Sequence, residues 1–318
     1  MRYRWQLYWH EVTRIIIIYL FKLHNMAKSK TVTKAKSKSI LTDQSLNFLK
    51  NYINTPSPVG FESSGQKVWM NYIKPYTDSF FSDPYGTAVG VINPTAPFKV
   101  VIEAHADEIS WFVNYINDQG LIYLKRNGGV DHQIAPAMRV WIHGKKGPVK
   151  AVFGWPAIHT RLSNPDAKEP QPKVDNLCLD CGARTRKEVE ALGIHIGAVV
   201  TYQEGFDELA NDFYIGRAFD NRIGGFMIAE VARLIKETKK KLPFALYVVN
   251  AVQEEIGLRG AEMIARRIKP DVAIITDVTH DTSTPMISKI IEGDIQCGKG
   301  PSLAYAPAIH NKRDGIRQ

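Results

Sequence analysis

Three cysteines in 318 residues (Cys178, Cys181 and Cys297) are too few, and odd in number, for a disulfide framework. Their scarcity points to a reduced, cytoplasmic setting. No apolar run approaches the roughly 20 residues that a membrane-spanning helix needs. The N-terminal run at 15–21 is only seven residues long. A signal peptide is disfavoured too, because His10 and Glu11 interrupt the leader and no small-x-small cleavage pattern precedes the Lys-rich run. No internal repeat is present. The body also lacks net charge. Of the formal +9, residues 1–40 contribute +8, from nine Lys/Arg and one Glu. That distribution disfavours a nucleic-acid-binding body, and with so short an apolar run no membrane partner is expected.

The segment from Met26, AKSKTVTKAKSKS, reads as a disordered basic tail, taken to span 1–39. Met26 is the expected start, with the preceding 25 residues as upstream sequence. Residues 40–108 read as helix, Pro-containing loop, helix, then strands, the second of which, KVVIEA, ends at His105. Residues 109–203 change texture to short strands broken by Gly, Pro and Asn, as in a small β-barrel or sandwich. Residues 204–318 return to alternating β and α patterning. The fold class expected is α/β: a mixed sheet flanked by helices, interrupted by a β-rich insert.

The stretch 244–260, FALYVVNAVQEEIGLRG, organises the rest. Its first nine residues read as a strand buried on both faces. It runs straight into Glu254 and Glu255, and two adjacent carboxylates there are costly unless a cation or proton lies between them. Other polar clusters share that address. His105 and Asp107 follow one strand, Asp220 a second, and Asp277 ends DVAIITD, read as a buried strand. Open α/β sheets place their sites beyond the carboxyl ends of strands. Singly each signal is weak: Asp220 alone could cap a helix and Asp277 alone a turn. Together, one His and several carboxylates are the ligands that paired zinc, cobalt or manganese ions accept.

The remaining polar groups read more blandly. Cys178 and Cys181 form a C-x-x-C, but on a strand those positions face opposite ways, so they make a poor chelate. Gly224 and Gly225 read as close-packing residues. His132 reads as a loop residue, with a role in the chamber or substrate pocket as the alternative, and His280 and Asp281 are candidates for supporting a ligand.

EAHADEIS, GRAFDNRIGG, VQEEIGLRGA, ITDVTHDT and CGKGPSLAYAPAIHNK resemble, in order and spacing, the PepA-like tetrahedral aminopeptidases, the glutamyl-aminopeptidase-like metallopeptidases. The resemblance runs from about residue 45 to the end. It implies release of N-terminal residues from peptides, two zinc or cobalt ions, and a β-barrel insert that serves dimerisation. It also implies assembly as a dodecamer. Carried over by position, His105 and Asp277 would bind one metal and Asp220 would bridge. Glu255 would bind the second metal, Glu254 would be the general base, and Asp107 would orient His105. The family's second His ligand, after a Gly-Thr-Asp segment, has no counterpart, since His310 and His280 do not fit that motif. The expectation is therefore a C-terminally truncated copy with an incomplete second site. Two alternatives stand beside it. One is an endoglucanase-like glycoside hydrolase using Glu254 or Glu255 with Asp277. The other is an inactive subunit that keeps only the oligomerising surface.

Overall fold

The computed structural model describes residues 41–162 and 169–303. The basic tail, the 15–21 run and His310 lie outside them. Helix α1 (Asp43–Asn54) carries Phe48, Leu49, Tyr52 and Ile53 on one buried face. Asp43 sits in its first turn, where an acid suits the positive end of the helix dipole. Helix α2 (Ser63–Ile73) buries Trp69, Tyr72 and Ile73. It gives way to a 3₁₀ turn at Lys74–Tyr76, where Pro75 cannot continue an α-helix.

Strands β1 (Ser79–Ser82), β2 (Ala88–Ile92) and β3 (Lys99–His105) follow. The chain then builds a closed six-stranded barrel before the sheet resumes. The barrel strands are β4 (Ser110–Ile116), β5 (Ile122–Asn127), β6 (Arg139–Gly144), β7 (Gly147–Gly154), β8 (Cys178–Asp180) and β9 (Val199–Tyr202). They close in the order β4-β5-β8-β7-β6-β9 around Trp111, Ile122, Ile142, Phe153, Leu179 and Val200. Closure leaves no open edge. A two-residue hairpin, β10 (Asp207–Glu208) with β11 (Tyr214–Ile215), precedes helix α3 (Phe219–Glu237). Strand β12 (Ala245–Ala251), helix α4 (Arg259–Ile268) and strand β13 (Val272–Ile275) complete the sheet.

The sheet order is β1-β2-β12-β3-β13, antiparallel up to β12 and parallel from β12 to β13. Alternation along β3 divides its residues between two cores. Val100, Ile102 and Ala104 pack with residues of α1, α2 and α3. Val101 packs with Val249, Ala251 and the α4 residues Ile264 and Ile268. Gly225 of α3 allows a close approach, since a Cβ there would lie 2.9 Å from Asn250 Oδ1 and 3.0 Å from the Tyr52 hydroxyl.

The last strand corrects the sequence reading. DVAIITD was expected to be buried, but among the described residues β13 pairs only with β3 and alternates between half-buried and exposed. Val272 and Ile274 reach the first core, while Ile275 is 62% exposed. An apolar run cannot by itself tell an edge strand from a central one. Among the described residues no helix is long and apolar enough to cross a membrane.

Candidate metal centre

Parallel pairing sets the site. His105, the last residue of β3, lies opposite Ala251, the last of β12, so both strand ends open at one place. Beyond β12 the chain turns through Gln253, whose φ of 56° is left-handed, and presents Glu254 and Glu255. Asp220 arrives from the start of α3, where the Asp220–Asn221 peptide is cis.

His105 is the hub. Its Nε2 lies 3.0 Å from Asp220 Oδ1 and 3.9 Å from Glu254 Oε2. Its Nδ1 lies 3.2 Å from the Asp107 carbonyl oxygen and 3.4 Å from Asp107 Oδ1. Donor atoms of His105, Asp220 and Glu255 all fall within 4.8 Å of one another, close enough to share one cation. Asp277 is not in that group of three. Its Oδ1 accepts the Val278 N–H, and its charge is felt at Glu254.

Asp107 does more than the sequence indicated. It is fully buried, and its two carboxylate oxygens accept the backbone N–H groups of Glu254 and Glu255, each at 3.0 Å. One carboxylate therefore braces the imidazole and fixes the turn that carries both glutamates. A backbone acceptor of this kind cannot be recognised from residue types alone.

The electrostatics ask for positive charge. Burial raises the Glu254 carboxyl above its ordinary value, with the nearby imidazole working against the rise. Burial, then the Asp220 charge, pushes Glu255 up to about 7. Burial opposes a charged ring at His105, but hydrogen bonds to Asp107 and Asp220 overcome it and push the imidazole up to about 11. Several carboxylates crowded on one ring hold protons tightly, and a divalent cation answers the same deficit. The donor set, nitrogen and oxygen, fits a divalent transition-metal ion.

The other candidates differ in their surroundings. Strand β8 stops at Asp180, and Cys178 and Cys181 are half-buried free thiols that burial pushes up, so neither is a ready thiolate ligand. Asp281 accepts the N–H groups of Ser283 and Cys297, closing its own loop. The loop after β5 brings Gly128 against Glu255, where a Cβ would lie 3.1 Å from that residue's Cβ. His132 lies farther along this loop, its Nδ1 buried without a hydrogen-bond partner among the described residues.

A family model for the M42 glutamyl aminopeptidases matches residues 86–318. The chain belongs to that family. It is a metal-dependent aminopeptidase by membership, and the three-residue donor cluster is where an ion could sit. The lysyl aminopeptidase of Pyrococcus furiosus is 31% identical over 267 residues, covering 83% of this chain and 74% of that one. The TET aminopeptidase of a marine-sediment archaeon, Thaumarchaeota archaeon SCGC AB-539-E09, is 28% identical with a TM-score of 0.77. It covers 81% of this chain and 72% of that one. The TET1 peptidase of Pyrococcus horikoshii shares the fold at 22% identity and a TM-score of 0.70, over 80% of this chain and 73% of that one. That protein can assemble into a tetrahedron or a large octahedral shell.

Proposed function

We propose that this M42 peptidase removes N-terminal residues from peptides, with Glu254 as the general base and His105, Asp220, Glu255 and Asp277 holding two divalent ions. The convergence of His105, Asp220 and Glu255 donor atoms within 4.8 Å carries the reading. Bound zinc or cobalt would supply Lewis acidity toward the scissile carbonyl and lower the pKa of water. Glu254 takes the proton from the attacking water and returns it to the leaving amine. Its raised proton affinity suits a base that must hold the proton between the two steps. Asp107 keeps that carboxylate in place through the backbone and fixes which imidazole nitrogen faces Asp220. Asp220, with its side chain 56% exposed, lies at the mouth of the site. The surplus of carboxylates there attracts the α-ammonium group of a peptide.

The chain self-associates in this reading. The barrel is the surface by which subunits meet, and a dodecamer is the proposed assembly. The shells formed by the related archaeal TET1 peptidase support it.

The test is release of free amino acids from short peptides by cobalt- or zinc-loaded protein, before and after chelation. Release that stops with chelator and resumes with metal supports the proposal. Peptides left intact by fully loaded protein would sink it, and chelator-resistant cleavage of a polysaccharide would favour a carboxylate-pair glycosidase instead.

A further inference from the structure

We propose that Glu108 is a positioning residue for the metal centre, acting through Arg217 and Arg222; the proposal rests on the metallopeptidase reading above. Glu108 follows Asp107 directly and is buried. Its Oε2 accepts the Arg217 Nε–H at 2.8 Å, and its Oε1 lies 3.3 Å from an Arg222 terminal nitrogen. The same Oε1 accepts the Ser57 N–H at 2.7 Å. The two arginines stand on either side of Asp220 in sequence. One carboxylate, adjacent to the residue that braces His105, thus grips both flanks of the residue that faces His105.

The arginines anchor the grip to the scaffold. Arg222 is fully buried and donates to the carbonyl oxygens of Tyr52 and Thr55 at the end of α1. Arg217 donates to the Glu204 carbonyl at 3.0 Å and the Asn54 carbonyl at 3.4 Å. Glu108 is where the chain leaves β3 for the barrel, and Glu204 is where it returns. A single guanidinium therefore ties both crossings to the segment that carries Asp220. Buried ion clusters of this kind contribute little net stability over a packed apolar substitute. What this one supplies is a fixed distance between the 105–107 segment and residue 220. A displacement of about 1 Å in such a centre costs on the order of a hundredfold in function.

The geometry defines its own test. Glu108→Gln keeps the shape and the acceptor for Ser57 but removes the charge that holds two arginines. Arg217→Lys keeps the charge but loses the fork. Arg217 borders a cleft of about 420 Å³ shared with Trp141 and His143, so the shorter side chain has room there. Cobalt(II) is titrated into full-length protein against a competing chelator, and the visible absorption band is recorded alongside circular dichroism. Asp78→Asn, which breaks a surface pair with Lys236, is the control.

Both Glu108→Gln and Arg217→Lys are expected to weaken cobalt binding about 10- to 100-fold and to alter the band, as loss of supporting partners does at metal sites. The control should match wild type. A purely structural role would lower the folded fraction but leave the affinity and band of folded protein unchanged. Folded variants that bind within about twofold of wild type, with the same band, overturn the proposal. If Glu108→Gln does not fold, Arg217→Lys decides by the same criterion. Wild-type protein that takes up no cobalt overturns the metallopeptidase reading itself, and this proposal with it.

Discussion

Asp107 holds Glu254 by the backbone: a carboxylate oxygen with no solvent exposure accepts the Glu254 N–H at 3.0 Å. Its other oxygen does the same for the next residue. In Asp107→Asn one of those oxygens becomes an NH₂ group facing an N–H donor. Metal affinity should fall about 10- to 100-fold, with a lower thermal midpoint. A cobalt competition titration and calorimetry measure the two effects.

Glu254→Gln separates base from ligand. Its kcat on a panel of aminoacyl p-nitroanilides should fall by about 10²- to 10⁴-fold. Its metal content should stay near that of wild type. A loss of metal matching the loss of rate would instead make Glu254 a ligand.

Metal removal should act on stability as well as rate. Ions that bind only the folded chain stabilise it, by about 2.7 kcal/mol at a free concentration a hundred times Kd. Dialysis against a chelator should lower the thermal midpoint, and zinc or cobalt should restore it. An unchanged midpoint would mean that His105, Asp220 and Glu255 hold no ion in solution.

Gly260, at the start of α4, tests the turn from behind. A Cβ there would lie 2.3 Å from the Val252 carbonyl oxygen and 2.6 Å from its nitrogen, immediately before the Gln253–Glu255 turn. Gly260→Ala should cost about 1–3 kcal/mol in chemical denaturation, as overpacking does. Because the strain falls on the turn that carries the proposed base, kcat should drop as well.

Tyr52 gives an alkaline signature. Burial raises its hydroxyl to about 12, while in the unfolded chain it titrates near the ordinary value of 10.0. The group's contribution is therefore complete below pH 10 and is lost as pH rises through 12. Tyr52→Phe should be less stable at pH 8 by about 1 kcal/mol, from the lost hydrogen bond with Asn250. Its stability should then fall less steeply between pH 10 and 12 when unfolding is followed in urea.

The strands were legible because they carry period-two patterns or unbroken apolar runs, and β3 and β12 end within one residue of where KVVIEA and FALYVVNAV give way to polar residues. The barrel was legible from its turns. Strand β13 was misread because burial depends on the neighbours a strand finds, and these are not written in VAII. In the centre, the types His105, Asp220, Glu254 and Glu255 were readable as chemistry. The backbone grip of Asp107 and the triad of Glu108, Arg217 and Arg222 were not. Each depends on a partner more than 100 positions away, as the 109 between Glu108 and Arg217 and the 147 between Asp107 and Glu254 show.

Those separations bear on when the protein becomes an enzyme. His105 and Asp220 are 115 positions apart, with the whole barrel between them, and the strand end that carries His105 is paired with β12. Contacts so distant along the chain form late in folding. During synthesis the ribosome releases His105 long before Glu254 and Glu255, so an unfinished polypeptide has the histidine without the proposed base and its neighbouring ligand. A peptidase built this way has no means to cut peptides while its own chain is still unfolded.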